Sequence, residues 1–206
     1  MMKKQNFYAV RAGRKTGVFD NWPDTAKSVK GFPNAVFRKF GSRAEANAWL
    51  KDEDAVKNVD YTIYTDGSCL VNPDGPGGWA LLMFEGDEQV KEVSGGEQST
   101  TNNRMELTAA IKALQLTPVG ATVRLYTDSQ YLRNGFASGW LENWKTNGWK
   151  TSVGKQVANE DLWRTIDKLA TERTVFWTWQ RGHVGHVENE RVDRLAREEA
   201  KKLMQQ

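Results

Sequence analysis

Ile63-Tyr64-Thr65-Asp66-Gly67-Ser68 and Leu125-Tyr126-Thr127-Asp128-Ser129 carry one local pattern twice, a β-prone run that meets an aspartate and then small polar residues. In a mixed α/β sheet, ligand sites gather at the carboxyl ends of parallel strands. Neighbouring strands lie about 4.8 Å apart, so if these two runs are neighbours, Asp66 and Asp128 share one patch. Carboxylates that close repel, and a cation or a retained proton must relieve the repulsion. An aspartate at a strand end can also be a simple turn former, a reading that competes at each position taken singly. Two with the same surroundings favour a shared site.

Working outward from this pair, strands are expected at residues 61–65, 78–84 and 89–95, then a helix over 101–116 ended by Pro118 and Gly120. A strand at 122–127 follows, with short helices within 129–144, a helix opened by Asn159, a strand at 174–179 and a charged amphipathic helix over 189–204. Strands first, then helix alternating with strand, predict an α/β fold, a mixed sheet with helices on its faces. The head reads as a small α/β module of its own. Strands at 7–11 and 16–19 flank a turn, Asp24 can cap a short helix, and a strand at 35–40 precedes the capping box Ser42-Arg43-Ala44-Glu45 and a second helix. The expected domains are 1–51 and 60–206, joined by a short charged linker at 52–59.

Charge separates the two parts further. Residues 1–51 hold 11 Lys/Arg against 3 Asp/Glu, whereas the whole chain has 29 against 26. A compact basic head on a mildly acidic body suits a polyanionic partner, although basic residues can also serve only to solvate a small surface. No apolar run reaches the 18 or so residues of a membrane span, and no secretory leader is visible in MMKKQNFYAV. The single cysteine, Cys69, excludes an intrachain disulfide and fits a reducing, cytoplasmic setting.

Further acidic candidates are Glu106 and Asp193. Glu106 shares a helix with Ala109, Ala110 and Ala113, small residues that let this face approach a sheet; read alone, it could be a solvated helix charge. Asp193 lies one turn after Asn189 and beside Arg194, where an exposed acidic position explains it equally well. Both histidines of the chain, His183 and His186, fall in the glycine-flanked loop Arg181-Gly182-His183-Val184-Gly185-His186. That concentration favours proton transfer. Without cysteines nearby it is a weak zinc signal. Oxygen ligands select hard ions, so Mg²⁺ is expected, with Mn²⁺ as a substitute.

The segments TDGSC (65–69), TNNRMEL (101–107), YTDSQY (126–131), NWKTNGWKT (143–151) and GHVGHVENERVDRLAR (182–197) resemble, in order and spacing, the type 1 family of cellular ribonucleases H. FYAVRAGRKTGVFDNW (7–22) with FRKF (37–40) is similar to the hybrid-binding domain that precedes some of these enzymes. The resemblance covers about residues 6–203. It implies a five-stranded mixed sheet flanked by helices, behind a small domain of three strands and two helices. It further implies that Asp66, Glu106, Asp128 and Asp193 ligate two metal ions roughly 4 Å apart, with His183 assisting as a proton shuttle or in product departure. The implied reaction is endonucleolytic hydrolysis of the RNA strand of an RNA–DNA hybrid, leaving 5′-phosphate and 3′-hydroxyl ends, by a monomer.

The resemblance also assigns contacts. Asn72, Asn102, Asn103 and Gln130 match positions facing the hybrid near the active site, where amides can read 2′-hydroxyls. Thr101 and Asn159 match a pocket gripping a DNA-strand phosphate. Trp144, Lys145, Trp149 and Lys150 resemble a basic protrusion that cradles the DNA strand; Trp140 beside them suits core packing as well. In the head, Tyr8 and Trp22 would contact the DNA strand, while Arg38 and Lys39 hold phosphates. Three departures stand out: Ser99 where a family member can carry arginine, Asp74 as an apparent insertion beside Asn72-Pro73, and the short linker. An integrase-like or reverse-transcriptase-linked nuclease is disfavoured by the head and the Trp/Lys protrusion. A non-catalytic hybrid binder would lack one of the four carboxylates, and all four are present.

Overall fold

A computed structural model describes residues 6–32, 35–51, 59–181 and 186–205. By internal packing the chain divides into two compact units, one formed from residues 59–132 and 156–206, the other from residues 1–58 with 133–155. Of the anticipated linker, residues 52–58 lie outside the described residues.

The larger unit is built on a five-stranded sheet. Strands β4 (Tyr61–Cys69), β5 (Gly75–Glu85) and β6 (Glu88–Thr100) form an antiparallel meander. On the other side of β4 lie β7 (Thr122–Thr127) and β8 (Thr174–Trp179), both parallel, giving the order β6-β5-β4-β7-β8. The two aspartate-bearing runs are therefore true neighbours. Ile63 pairs with Leu125 and Tyr64 with Tyr126, whose rings stack at 4.8 Å with an interplanar angle of 10°. The Thr65 hydroxyl donates to the Tyr126 carbonyl (3.2 Å). Register thus sets Ile63 and Tyr64 of one run against their counterparts Leu125 and Tyr126 in the other.

β4 does not end at residue 65 as the sequence suggested. It continues through Asp66 to Cys69 because β5 still pairs with it there, Asp66 opposite Ala80 and Cys69 opposite Gly77. The site forms where the parallel partner β7 stops, and β4 itself runs on.

Helix α3 (Asn102–Gln115) covers one face of the sheet. Thr101 is its N-cap, its hydroxyl accepting from the Arg104 backbone N–H. Ala109, Ala110 and Ala113 are fully buried, as their small size at helical spacing anticipated. Gly67 sets how closely the helix sits on β4. A Cβ there would lie 2.2 Å from the Glu106 nitrogen, a backbone approach only glycine permits. On the other face, the last helix α7 (Val187–Met204) buries Val192 and Ala196 against Ala80 and Leu82. Between these lie α4 (Gln130–Ala137), begun right after Asp128-Ser129, and α6 (Glu160–Thr171), whose Trp163 and Ile166 are fully buried.

In the smaller unit, β1 (Phe7–Ala12) pairs antiparallel with β2 (Gly17–Phe19) and β3 (Val36–Phe40) in the order β2-β1-β3. Helix α1 (Trp22–Val29) is capped by Asn21, whose side chain accepts from the Asp24 N–H (2.9 Å). Asp24, the expected cap, sits inside the first turn. Helix α2 (Arg43–Lys51) opens on the anticipated capping box, Ser42 N–H to Glu45 Oε2 and Glu45 N–H to Ser42 Oγ, each 3.2 Å. Helix α5 (Trp140–Asn147) belongs to this unit and ends at Gly148 in a left-handed conformation. Among the described residues no helix is long and apolar enough to cross a membrane.

Candidate active site

Three carboxylates from separate parts of the chain converge on the carboxyl side of β7. Asp66 comes from β4, Glu106 from the second turn of α3, and Asp128 from the residue following β7. One oxygen of each lies within 4.8 Å of the others. Asp66 is 6% exposed and Glu106 9%, so water screens their mutual repulsion poorly.

Hydrogen bonds reach Asp66 and Glu106 directly. The Gly67 N–H donates to Asp66 Oδ1 (2.8 Å) and the Asn102 amide to Glu106 Oε1 (3.0 Å). Glu106 Oε2 is buried with no hydrogen bond of normal geometry. Burial first, then the charges of Asp128 and Glu106, hold the Asp66 carboxyl well above the usual carboxylate range, with Asp193 adding to the effect and the Gly67 N–H opposing it. Burial likewise pushes Glu106 up to about 7, against the pull of the Ser129 hydroxyl and the Asn102 amide and with help from Asp128. Without a cation these groups keep protons that solvent-exposed carboxyls would have lost. An orphaned buried oxygen in an all-oxygen donor set fits a hard divalent ion.

This geometry has a consequence for stability. Between pH 4.5, the ordinary value for a glutamate, and about 7 the unfolded chain gives up the Glu106 proton while the folded chain retains it. Metal-free stability therefore falls as pH rises through that window, by at most about 3 kcal/mol from Glu106 alone. Glu106→Gln, which cannot ionise, is expected to flatten the fall. Urea unfolding in a chelator from pH 4.5 to 7.5 measures it, and identical slopes for variant and parent would contradict the assignment.

Asp193, on α7, lies outside the set of three. Its Oδ1 accepts from Arg197 one turn later (2.8 Å), yet it is near enough for its charge to act on Asp66. His183 lies outside the described residues; His186 is the exposed N-cap residue of α7.

Around the cluster, Asn102 is more than a surface amide. Its Oδ1 accepts from the Cys69 N–H (3.2 Å), its Nδ2 holds Glu106, and its own N–H donates to Asn72 Oδ1 (3.2 Å). Asn72 is thus tied to the start of α3, with Asp74 absorbed beside it at φ 71°. Asn103 and Gln130 are exposed. Asn159 precedes α6, and Arg104 Nη1 donates to its Oδ1 (3.3 Å).

The protrusion residues fall differently from expectation. Trp144 and Trp149 are buried against each other, ring centroids 6.3 Å apart, because the left-handed pair Gly148 (φ 75°) and Trp149 (φ 62°) folds the second ring back. Trp140 is half-buried on the other side of Trp144, at 5.8 Å. Lys150 is exposed, and Lys145 pairs with Glu142 (3.2 Å). In the head, Trp22 packs between Tyr8 and Phe37 with its ring tilted to both, and its indole N–H donates to Asn143 Oδ1 (3.0 Å). Lys39 is exposed and faces Glu142 (3.9 Å). Tyr8 is buried, and burial with the Glu142 charge pushes its hydroxyl up to about 12. Arg38 lies over the Phe40 ring.

Sequence reasoning did not find Ser129, Arg104, Tyr131 or Glu142. Only Ser129 had a visible signal, its place directly after Asp128 in the repeated pattern.

A largely buried all-oxygen carboxylate cluster at the carboxyl edge of parallel strands, fringed by amides, is a donor set that could hold a divalent metal ion, as metal-dependent hydrolases require. Comparison with known proteins gives the family. A family model described as RNase H matches residues 57–201, and one described as Ribonuclease H1 N-terminal domain matches residues 6–50. The Ribonuclease H of Rhodopseudomonas palustris strain BisB5 is 55% identical over 136 residues, 66% of this chain and 89% of that protein. That of Rhodospirillum rubrum is 51% identical over 144 residues, 70% of this chain and 85% of that protein. Among solved structures, LC9-RNase H1, a type 1 RNase H with the type 2 active-site motif, aligns with a TM-score of 0.62 at 32% identity, covering 69% of this chain and 72% of its own. The foamy viral protease-reverse transcriptase shares the fold, with a TM-score of 0.62 at 20% identity over 70% of this chain and 96% of its own. The chain belongs to the ribonuclease H family, divalent-metal-dependent nucleases that hydrolyse the RNA strand of RNA–DNA hybrids.

Proposed function

We propose that this ribonuclease H is a monomeric, cytoplasmic endonuclease that uses two Mg²⁺ ions, with Mn²⁺ as a substitute, and leaves 5′-phosphate and 3′-hydroxyl ends. The observation that carries the reading is the convergence of Asp66, Glu106 and Asp128 with a buried, unpaired glutamate oxygen among them. Asp193, whose charge reaches Asp66, completes the ligand set. Bound divalent cations supply Lewis-acid charge at the scissile phosphate and acidify coordinated water. The chain itself positions the substrate. Asn72, Asn102, Asn103 and Gln130 offer amides to 2′-hydroxyls, Thr101 and Asn159 take a DNA-strand phosphate, and His183 moves a proton or eases product departure. The single cysteine supports a reducing compartment. The direct test is cleavage of matched RNA–DNA, RNA–RNA and DNA–DNA duplexes, strands labelled separately, with and without Mg²⁺. Cutting of the hybrid's RNA strand alone, only with the ion, is expected; metal-independent or strand-indifferent cutting refutes the reading.

The basic head, the exposed Lys150 and Lys145 beside Glu142 then hold hybrid without regard to sequence. Phosphate binding by Lys39 exchanges its pairing with Glu142. Trp22→Ala with Lys39→Ala is expected to weaken hybrid affinity by about 1–3 kcal/mol for the aromatic and to lower the salt slope by about one for the lysine. Turnover at saturating hybrid should stay as it was. Titrations at several salt concentrations beside saturation kinetics check this, and a large drop in saturated turnover would place these residues in the chemistry instead.

A further inference from the structure

Asn159 has an unusual conformation for its place. It is the residue before α6, where capping residues are ordinarily extended and turn their side chains back onto the helix. Here φ is 58° and ψ 34°, and the side chain makes no capping bond. A left-handed backbone at a residue other than glycine persists only where its surroundings enforce it, and such residues cluster at functional sites.

The enforcing group is Tyr131, on α4. Its hydroxyl donates to the carbonyl of Ala158 (2.9 Å), the peptide leading into Asn159, and accepts from the indole N–H of fully buried Trp163 (3.0 Å). The Tyr131 and Trp163 rings meet edge-on at 5.3 Å, so the hydroxyl is fixed in direction. That same oxygen is 3.5 Å from Asn159 Nδ2. The other end of the amide, Oδ1, accepts from Arg104, which a paired contact with Asp161 holds in turn (3.2 and 3.4 Å). The amide is thus gripped at both ends and aimed away from the helix it would otherwise cap.

We infer that Tyr131 is a positioning residue for DNA-strand recognition: its hydroxyl pins the 158–159 peptide and so presents the Asn159 amide to a backbone phosphate. The inference rests on the reading of Thr101 and Asn159 as the grip on that phosphate. Tyr131 touches no reacting atom, so its loss acts on KM and spares kcat.

The experiment uses the full chain and hybrids in which one DNA phosphate at a time is replaced by an uncharged methylphosphonate. In the parent enzyme one linkage is expected to be sensitive, its neutralisation raising KM about tenfold with kcat unchanged. Tyr131→Phe keeps the ring contact with Trp163 and loses only the hydroxyl. It should raise KM by a similar factor on unmodified hybrid and abolish the sensitivity at that linkage. Asn159→Gly accepts the left-handed backbone without an amide and should match it, the double variant being no worse than either single one. Should Tyr131→Phe fail to fold, Trp163→Phe, which removes the N–H orienting the hydroxyl, should give the same loss of sensitivity in smaller measure. A sensitive linkage in the parent that survives unchanged in these tyrosine or tryptophan variants overturns the role of Tyr131 and leaves the phosphate grip standing. No sensitive linkage in the parent removes the grip itself, and the inference with it.

Discussion

Asp128→Asn is expected to bind RNA–DNA hybrid as the parent does and to lose its cleavage, by roughly a thousandfold or more. The asparagine keeps the size of the side chain, and the hydrogen bond from the Trp179 indole to the residue 128 carbonyl (2.9 Å) does not depend on the carboxylate. Position is therefore preserved and charge alone is removed. On the proposed metal assignment, loss of one carboxylate from a cluster of three within 4.8 Å would weaken cation binding and the charge stabilisation that bound cations give, and about 4 kcal/mol of that corresponds to a thousandfold in rate. The variant should also lower the raised Asp66 carboxyl, because Asp128 is the largest charge acting on it. Hybrid affinity measured in a chelator, beside single-turnover cleavage, separates binding from chemistry. Cleavage within tenfold of the parent would remove Asp128 from the ligand set.

A second large effect is expected at a residue with no side chain to offer. In Gly67→Ala the new methyl would stand 2.2 Å from the Glu106 nitrogen, 2.4 Å from the Met105 carbonyl carbon and 2.7 Å from the Glu106 Cα. These are backbone atoms of α3, which cannot swing aside as a side chain tip can, so the helix must lift from β4. Overpacking of this kind costs about 3 kcal/mol of stability. The lift also carries Glu106 away from Asp66, and misplacement by about 1 Å is worth roughly a hundredfold in activity. Gly41→Ala, where only a flexible glutamate tip lies within reach at 3.8 Å, serves as the mild comparison. Thermal midpoints and cleavage rates together check the pair. A Gly67→Ala enzyme with parental stability and rate would mean that α3 does not rest on β4 as described.

The sequence disclosed the centre of this architecture better than its margins. The repeated Tyr-Thr-Asp passages announced adjacent strands because register between parallel strands copies local pattern into space, and Tyr64 does lie against Tyr126. The alanines after Glu106 announced a close helix for an equally simple reason, the lack of bulk on one face. The long meander was harder to read. The expected strands began at residue 78 and ended at residue 95, yet β5 starts at Gly75 and β6 runs on to Thr100, taking in Gly75, Pro76, Gly77 and Gly96. At Gly96 the cause is tertiary, since a Cβ would come within 2.6 Å of the Gly77 carbonyl on the paired strand. Trp144 and Trp149 show the same difficulty at the protrusion, where lysines nearby suggested an exposed aromatic face and two left-handed residues turn the rings inward. Arg104, Tyr131 and Glu142 act through partners 55, 27 and 103 positions away, Asn159, Ala158 and Lys39 respectively, and no local pattern encodes such pairings.

Cation binding in the absence of nucleic acid tests the core of this account most directly. The thermal midpoint of the parent chain and of Asp128→Asn should be followed at pH 8 as Mg²⁺, and separately Mn²⁺, is titrated from zero. A ligand bound only by the folded state raises stability with the logarithm of its concentration above Kd, so the parent midpoint should climb steadily while that of the variant climbs far less. A flat parent curve, or equal climbs in the two proteins, would show that the buried carboxylates are not where the ions are held.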